Sequence, residues 1–162
     1  RITKGDEQII VTTTEGKAIA FEESQIRQTG RNTMGVKAMD ISDTDGIISM
    51  EVVEDDKCLL VITENGYGKR TCIGEYKIQS RGGKGVKTYN ISGQTGQIAG
   101  ARLVAEDDQI MIINSDGTMI RMEVSQIPKL NRVTKGVKLM KSIDSKIVSF
   151  ERIESNGEEE EE

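Results

Sequence analysis

Glycines stand beside basic residues in the polar connections of this sequence, in a pattern suited to binding an anion. The densest run is residues 79–85, Gln-Ser-Arg-Gly-Gly-Lys-Gly, and Lys87 follows it. Lysine and arginine attract phosphate oxygens, and glycine lets backbone N–H groups come close to an anion because it has no side chain. Similar basic connections begin at Arg27 and at Lys129. The pattern indicates a surface that binds a negatively charged polymer.

The sequence lacks the residues needed for nucleophilic catalysis and for the usual zinc sites. It contains no histidine, so neither a Ser-His-Asp nor a Cys-His arrangement can form. Cys58 and Cys72 do not form a Cys-x-x-Cys pair. No lysine is predicted to lie in apolar surroundings that would lower its pKa. We therefore expect no catalytic residue, no metal site and no cofactor, and two reduced cysteines, which fit a cytoplasmic location.

Much of the negative charge lies at the C-terminal end. The formal net charge is -5, and residues 158–162 supply five of the 27 acidic residues, so the remaining 22 balance the 22 lysines and arginines. The rest of the chain, in which acidic and basic residues are equal in number, can bind an anionic polymer if its bases share one surface. No apolar run approaches the roughly 20 residues of a membrane-spanning helix, so no membrane partner is expected.

The elements that must position these bases belong to a threefold repeat. Gly16, Gly66 and Gly117 are separated by 50 and then 51 residues. The same steps relate three Gly-Val-Lys triplets, at 35–37, 85–87 and 136–138, and three arginines, Arg31, Arg81 and Arg132. A period of this length is typical of a repeat architecture such as a propeller.

Each repeat is predicted to contain four short β-strands. Gln8–Thr13, Cys58–Thr63 and Gln109–Asn114 are rich in Ile, Val and Leu, and a glycine turn after each predicts a hairpin. The second strands include residues 17–21 and 119–122. In the first repeat, residues 36–40 and 47–53 supply the other two strands. Four antiparallel strands in about 50 residues correspond to one blade of an all-β propeller or pinwheel.

These boundaries divide the chain into five parts. Residues 1–5 end a preceding blade, the three blade repeats are 6–55, 56–107 and 108–154, and 155–162 form an acidic, disordered tail. A propeller ring needs at least four blades. We therefore expect a partial ring, with further blades before Arg1.

The acidic groups within the repeats are interpreted as turns. Asp55-Asp56 and Asp107-Asp108 fall where one repeat passes to the next, where solvated turn residues are common. Residues 43–46, Asp-Thr-Asp-Gly, resemble the start of a calcium loop but lack its later ligands and closing glutamate.

Rotation from blade to blade should bring the basic connections to one rim of the propeller. Each phosphate neutralised there releases counterions from DNA, which gives affinity without sequence reading. Tyr67, Tyr76 and Tyr89 are too few to serve as stacking platforms for single strands, which favours duplex DNA. The alternative is that these are ordinary basic surface loops. The candidate DNA-binding residues are Arg31, Lys37, Lys69, Arg70, Gln79, Arg81, Gly82, Gly83, Lys84, Lys87, Arg132, Lys135 and Lys138.

At these residues the sequence resembles a known family. Residues 66–71, Glu75-Tyr76 and residues 79–85 are similar to the penultimate blade of the C-terminal DNA-wrapping domain of bacterial DNA gyrase A subunits. Residues 108–111, Gly136-Val137 and the acidic ending are similar to the last blade and tail, so the resemblance covers nearly all of the chain. The family's signature box is Gln, a base, Arg, Gly, Gly, a base, Gly; residues 79–85 match six of seven positions, with Ser80 replacing a base. The family's essential box lies in its first blade, which implies that this copy is a degenerate counterpart.

The resemblance implies a six-bladed β-pinwheel that wraps duplex DNA and supports negative supercoiling. It also implies the rest of the gyrase A protein and the gyrase B protein as partners in an A2B2 complex. The chain would be a binding module without a small-molecule substrate and no enzyme by itself, within an ATP-dependent type II topoisomerase whose catalytic parts lie elsewhere. The acidic tail either aids solubility or competes with DNA for the basic rim; in the second case, deleting residues 158–162 should tighten DNA binding at low salt.

Two alternatives remain at this point. One is the C-terminal domain of topoisomerase IV, which usually has fewer blades and a weaker box. The other is a propeller for protein interaction with no nucleic-acid role. The absence of tryptophan and of Gly-His signatures argues against the WD40 class of such propellers.

Overall fold

The chain is described by a computed structural model that covers residues 2–141 and 144–154. These residues form β-strands, tight turns and three single-turn 3₁₀ helices, at Glu23–Gln25, Ile73–Glu75 and Val124–Gln126. The predicted acidic tail lies outside the described residues. The strands are β1 Gln8–Thr13, β2 Lys17–Glu22, β3 Ile47–Val52, β4 Cys58–Thr63, β5 Tyr67–Cys72, β6 Val86–Lys87, β7 Ile98–Val104, β8 Gln109–Asn114, β9 Met119–Glu123, β10 Val137–Lys138 and β11 Ile147–Ile153.

Three hairpins form the framework, as the sequence predicted. β1 pairs with β2, β4 with β5 and β8 with β9, all antiparallel. The glycine in each turn has a positive φ, between 78° and 85°, which residues with a side chain adopt reluctantly. The hairpins therefore follow from local sequence, with apolar strands joined by residues suited to the turn.

The strands assemble into three antiparallel sheets, which we call blades 1, 2 and 3. Their strand orders are β3-β1-β2-β6, β10-β5-β4-β7 and β11-β8-β9. β3 packs against β7, and β7 packs against β11, so these three strands form the inner side of the arrangement. The opposite, outer edge is formed by β6 in blade 1 and by β10 in blade 2.

The origin of the outer strands corrects the sequence prediction. Four strands from one repeat were expected to form one blade, but β6 belongs to the second repeat and joins blade 1, while β10 belongs to the third repeat and joins blade 2. Residues 36–40, predicted as a strand, form none. They occupy the position of β6 and β10 in the first repeat, and among the described residues no hairpin precedes β1 with which they could pair.

Neighbouring blades share their hydrophobic cores. Ile10 and Ala20 of blade 1 pack in one cluster with Leu59, Tyr76 and Tyr89 of the second repeat. A second cluster joins Leu60, Ile62 and Val104 to residues of the third repeat such as Ile112 and Phe150. Burying apolar surface between blades stabilises their association, so each blade depends on its neighbour.

A row of charges crosses the inner strands. Arg102 on β7 lies 3.4 Å from a carboxylate oxygen of Glu51 on β3 and 3.5 Å from one of Glu151 on β11.

Among the described residues, no helix has the length and apolar character needed to cross a membrane. Within the same residues, no cluster of three or more His, Cys, Asp or Glu side chains is arranged to hold a metal ion.

Candidate nucleic-acid interface

The exchange of strands between repeats creates two junctions at the outer edge. The first seam consists of β2, β6 and the connection at residues 78–87; the second seam consists of β5, β10 and the connection at residues 129–138. Each connection first touches the preceding hairpin through a parallel bridge, Ala20 with Ile78 and Arg70 with Lys129. It then forms the short antiparallel strand. The predicted basic connections therefore lie along the seams.

Arginines at one repeat position fasten the two connections. Arg81 donates from its backbone N–H to Oε1 of Gln25 at 2.7 Å, and its guanidinium donates to the carbonyl of Lys37. Arg132 repeats both contacts, with Glu75 at 3.2 Å and with the carbonyl of Lys87 at 3.1 Å. Both side chains are half-buried, whereas Arg31 is exposed. Arg81 and Arg132 thus hold neighbouring repeats together.

The glycines of residues 79–85 make backbone contacts within the protein. The N–H of Gly82, which was predicted to approach a phosphate, donates to the carbonyl of Ala38 at 2.8 Å, and the carbonyl of Gly83 accepts from Asp40 at 2.8 Å. Gly85 has a φ of 67°, and a Cβ at this position would lie 2.5 Å from the carbonyl oxygen of Ala18. Gln79 donates its backbone N–H to Ala20. These residues set the path of the connection.

Four predicted lysines of the seams are exposed, Lys84, Lys87, Lys135 and Lys138, and so is Lys37, whose carbonyl accepts from Arg81 of the first connection. Lys87 donates to Asn90 at 3.2 Å and Lys135 to Gln94 at 3.1 Å. Lys138 donates to the carbonyl of Asn65 at 2.7 Å, with its ammonium 4.9 Å from the centre of the Tyr67 ring. These exposed side chains are accessible to a polyanion that approaches the outer edge.

Lys69 and Arg70 were predicted to bind DNA as part of the basic rim, but both are buried. Their exposed fractions are 0% and 3%. Lys69 donates to the carbonyls of Asn131 and Arg132, and its ammonium lies 5.3 Å from the centre of the Tyr89 ring. Burial lowers the pKa of Lys69 to about 8. This also corrects the expectation that no lysine would have its pKa lowered by its surroundings.

Arg70 is held by hydrogen bonds inside the second seam. Its Nε donates to the carbonyl of Ile127 at 2.7 Å, and its Nη1 donates to Glu106 at 2.8 Å. Lys129 also lies 2.6 Å from Glu106. Hydrogen bonds from Arg70 and then Lys129 lower the pKa of Glu106 to about 2. Lys69 and Arg70 therefore anchor the connection of the third repeat and do not face the solvent.

Comparison with known proteins decides the family. The family described as "DNA gyrase C-terminal domain, beta-propeller" matches residues 7–54, 59–105 and 108–154. The chain belongs to this family. The resemblance read from residues 66–85 is therefore confirmed.

Relatives of the chain include the DNA gyrase A subunits of three bacteria. The chain is 44% identical to that of Clostridium acetobutylicum over 160 residues, covering 98% of this chain and 19% of the relative. It is 38% identical to that of Staphylococcus epidermidis over 151 residues (92% and 17%) and 37% identical to that of Escherichia coli over 160 residues (98% and 18%). The chain thus spans about a fifth of the length of these relatives.

Two solved structures have the same fold. The structure of a DNA gyrase A C-terminal domain superimposes with a TM-score of 0.87 at 26% identity, covering 93% of this chain and 52% of that chain. The C-terminal domain of a DNA topoisomerase IV superimposes with a TM-score of 0.90 at 22% identity, covering 95% and 49%. At that identity the second match supports the fold alone. The relatives named above favour the gyrase A assignment.

The other residues considered as candidates from the sequence are the tyrosines, the cysteines and Asp45. Tyr76 and Tyr89 are buried and Tyr67 is half-buried, so stacking on single strands is even less accessible than predicted. Cys58 and Cys72 are both free, with their sulfurs 3.6 Å apart, and burial first, then Cys72, raises the pKa of Cys58 to about 11. Asp45 accepts from the N–H groups of Glu15 and Gly46, as expected of a turn residue.

One residue of the outer edge was not predicted from the sequence. Lys17, on β2, lies directly opposite Lys87 in the first seam. The sequence places Lys17 directly after the turn glycine Gly16. This position lies at the outer edge because the next repeat supplies β6 as the neighbouring strand. Strand pairing between repeats was not foreseen, so this pair was missed.

Proposed function

We propose that the chain binds and wraps duplex DNA without reading its sequence, as the C-terminal part of the gyrase A protein, and so supports negative supercoiling. The observation that carries the proposal is that four exposed lysines lie on two successive seams of one outer edge, with a fifth, Lys37, beside the first seam. Each lysine that neutralises a phosphate releases counterions, so several contacts add to a useful affinity. A curved edge with contacts at successive seams also offsets the energy of bending the duplex.

The side chains at the seams suit phosphate contact better than base recognition. Sequence reading relies on side chains that present donors and acceptors to base edges, such as a guanidinium held toward guanine. The guanidinium groups of Arg81 and Arg132 are engaged with carbonyl groups of the protein. The exposed lysines carry flexible point charges, which attract phosphates of any sequence.

The proposed partners and activity follow from the family. The chain would work with the rest of the gyrase A protein and with the gyrase B protein in an A2B2 complex in the cytoplasm. The catalytic parts of this ATP-dependent type II topoisomerase would lie outside the chain, which would need no cofactor of its own. Family membership and the histidine-free sequence support a binding role for this part.

A salt titration on the full-length protein tests the proposal. Affinity for a linear duplex is measured against salt concentration for the wild type and for a variant with Lys84→Gln and Lys135→Gln. Losing two phosphate contacts should reduce the slope of log affinity against log salt by about 1.8. Lys57→Gln is the control, because Lys57 is engaged with Glu54 at 2.6 Å in the turn before β4, away from the outer strands.

Two results would contradict the proposal. Wild-type affinity that does not change with salt would exclude phosphate contacts as its source. An equal loss per lysine removed in the Lys57→Gln control would show that net charge matters and that the seams do not.

A further inference from the structure

The first seam places two lysines face to face. β6 joins β2 in a register that sets Lys87 directly opposite Lys17. Directly opposed residues in an antiparallel pair have Cβ atoms about 4.5–5.5 Å apart, and like charges there are destabilising. Lys87 is exposed and Lys17 is half-buried, and the strand pairing fixes the backbone positions of both.

Two more lysines and one aspartate complete the charge group of the first seam. Lys37 contacts Asp40 directly, and their side chains are 62% and 44% exposed. The hydrogen bond from Lys37 is the main cause of the lowered pKa of Asp40, and the charges of Lys37, Lys84 and Lys17 lower it further. The backbone N–H of Asp40 donates to the carbonyl of Gly83 at 2.8 Å, which holds Asp40 beside the connection that carries Lys84 and Lys87.

The second seam has the same strand pairing but a different residue opposite its lysine. Tyr67 occupies the position of Lys17 and lies directly opposite Lys138, whose ammonium is 4.9 Å from the centre of its ring. Asn90 occupies the position of Asp40 and lies beside the second connection, where its N–H donates to the carbonyl of Thr134 at 3.0 Å. Its side chain accepts from Lys87 of β6, as that of Asp40 accepts from Lys37. The aromatic ring stabilises the opposing lysine there. In the first seam the opposing group is a second cation.

We propose that Lys17 and Lys87 hold one DNA phosphate between them at the first seam and that Asp40 weakens the attraction of this seam for DNA. The inference deepens the proposed function and rests on it. A phosphate oxygen between two ammonium groups removes their repulsion, so an arrangement unfavourable in the free protein becomes favourable in the complex. Asp40 carries a negative charge in the same group and opposes the approach of the polyanion.

The first test replaces Lys17 by Gln in the full-length protein and follows DNA affinity and thermal stability together. Affinity for a linear duplex should fall roughly 5- to 10-fold at about 0.1 M salt, and the log-log salt slope should fall by about 0.9. The melting temperature without DNA should stay the same or rise, because a like-charge pair has been removed. A parallel fall in melting temperature and affinity would overturn the proposal, as would an unchanged slope.

Lys17→Tyr provides a second variant, because it copies the pair found in the second seam. It should keep the stability of the seam while losing the phosphate contact, so its DNA affinity should match that of Lys17→Gln. Wild-type affinity in this variant would show that a second ammonium group is not needed at this position.

The second test replaces Asp40 by Asn, the residue at the matching position of the second seam. DNA affinity should rise by a factor of a few, and the salt slope should become steeper. Asp43→Asn is the matched control, since it removes the same charge from an exposed position three residues further along the chain. An equal rise in both variants would mean that net charge causes the effect, and the role of Asp40 would be overturned.

The outcomes separate this proposal from the function on which it rests. A wild-type protein that shows no salt-dependent binding to duplex DNA contradicts the proposed function. Binding that responds to Lys84→Gln and Lys135→Gln but not to Lys17→Gln contradicts only the phosphate site at the first seam.

Discussion

The two seams have the same backbone and opposite chemistry. Both consist of a parallel bridge followed by two residues of antiparallel strand. Ile19-Ala20-Phe21 fills the inner layer of the first seam, and Lys69-Arg70-Thr71 fills the matching positions of the second. Both sets are at most 3% exposed. The strand register and the glycines therefore determine the pairing of strands between repeats. The buried layer next to these strands can consist either of apolar side chains or of hydrogen-bonded polar ones.

The difference has consequences for stability. Apolar side chains in the first seam gain from burial alone and depend little on pH. Buried cations in the second seam are costly to desolvate, and their cost is offset only while every hydrogen bond is made. The second seam should therefore respond more strongly to substitution and to pH.

Replacing Arg70 by Ala, the residue at the matching position of the first seam, should have the largest effect. It removes the donors to Ile127 and Glu106 and leaves a cavity, so we expect a loss of about 3–5 kcal/mol in the free energy of unfolding. Urea unfolding measures this loss. Lys129→Ala removes the half-exposed second partner of Glu106 and should lose much less, because solvent screens an exposed ion pair. Similar losses in the two variants would contradict the importance of burial.

Replacing Gly85 by Ala tests the backbone that the seams share. A Cβ there would meet the carbonyl oxygen of Ala18 at 2.5 Å, at a residue with positive φ, so we expect a loss of about 2–3 kcal/mol. Gly136→Ala should cost a similar amount, because its Cβ would lie 2.4 Å from the carbonyl oxygen of Gly68. Gly74→Ala, with open space around the new Cβ, is the control. A loss in only one seam would show that the shared backbone is not equally required.

Replacing Lys69 by Ile, as in the first seam, should change the pH dependence of stability. The pKa of Lys69 is about 8 in the folded protein, against an ordinary value of 10.5. Between these values the unfolded chain holds a proton that the folded chain lacks, so wild-type stability gains up to about 1.4 kcal/mol per pH unit from this residue as pH rises. Below pH 8 the contribution is constant. The difference between wild type and Lys69→Ile, measured by chemical unfolding from about pH 7.5 to about pH 10.5, isolates this gain from the tyrosines, and a constant difference would contradict it.

Replacing Tyr67 by Leu should have the smallest effect. It removes the ring beneath the ammonium of Lys138, at an exposed edge where such contacts contribute about 0.5–1 kcal/mol. Tyr67→Phe keeps the ring and should retain most of this stability, although it loses the hydroxyl that accepts from Gln94. Thermal unfolding compares the two variants, and equal losses would assign the effect to the hydroxyl instead of the ring.

Sequence patterns predicted the structure correctly where the information is local. β1, β4 and β8 have the predicted bounds, because a run of apolar residues followed by a turn glycine is legible in a few adjacent positions. The prediction was wrong for residues 36–40, because the strands at this position of the later repeats, β6 and β10, form by pairing with the hairpin of the preceding repeat. It was also wrong for Lys69 and Arg70, since a strand reading Tyr-Gly-Lys-Arg-Thr-Cys gives no sign that a later connection will cover it.

The repeat, the hairpins and the family could be predicted from the sequence, because the spacing of the motifs is visible in the chain and the apolar strands and turn glycines act locally. Which blade receives each Gly-Val-Lys strand depends on the tertiary structure, and so do the burial of Lys69 and the opposition of Lys17 to Lys87. These pairings join residues of successive repeats through backbone hydrogen bonds, which are the same for every side chain. Only the packed arrangement of successive blades selects among such pairings, so only the folded protein distinguishes a buried base from an exposed one.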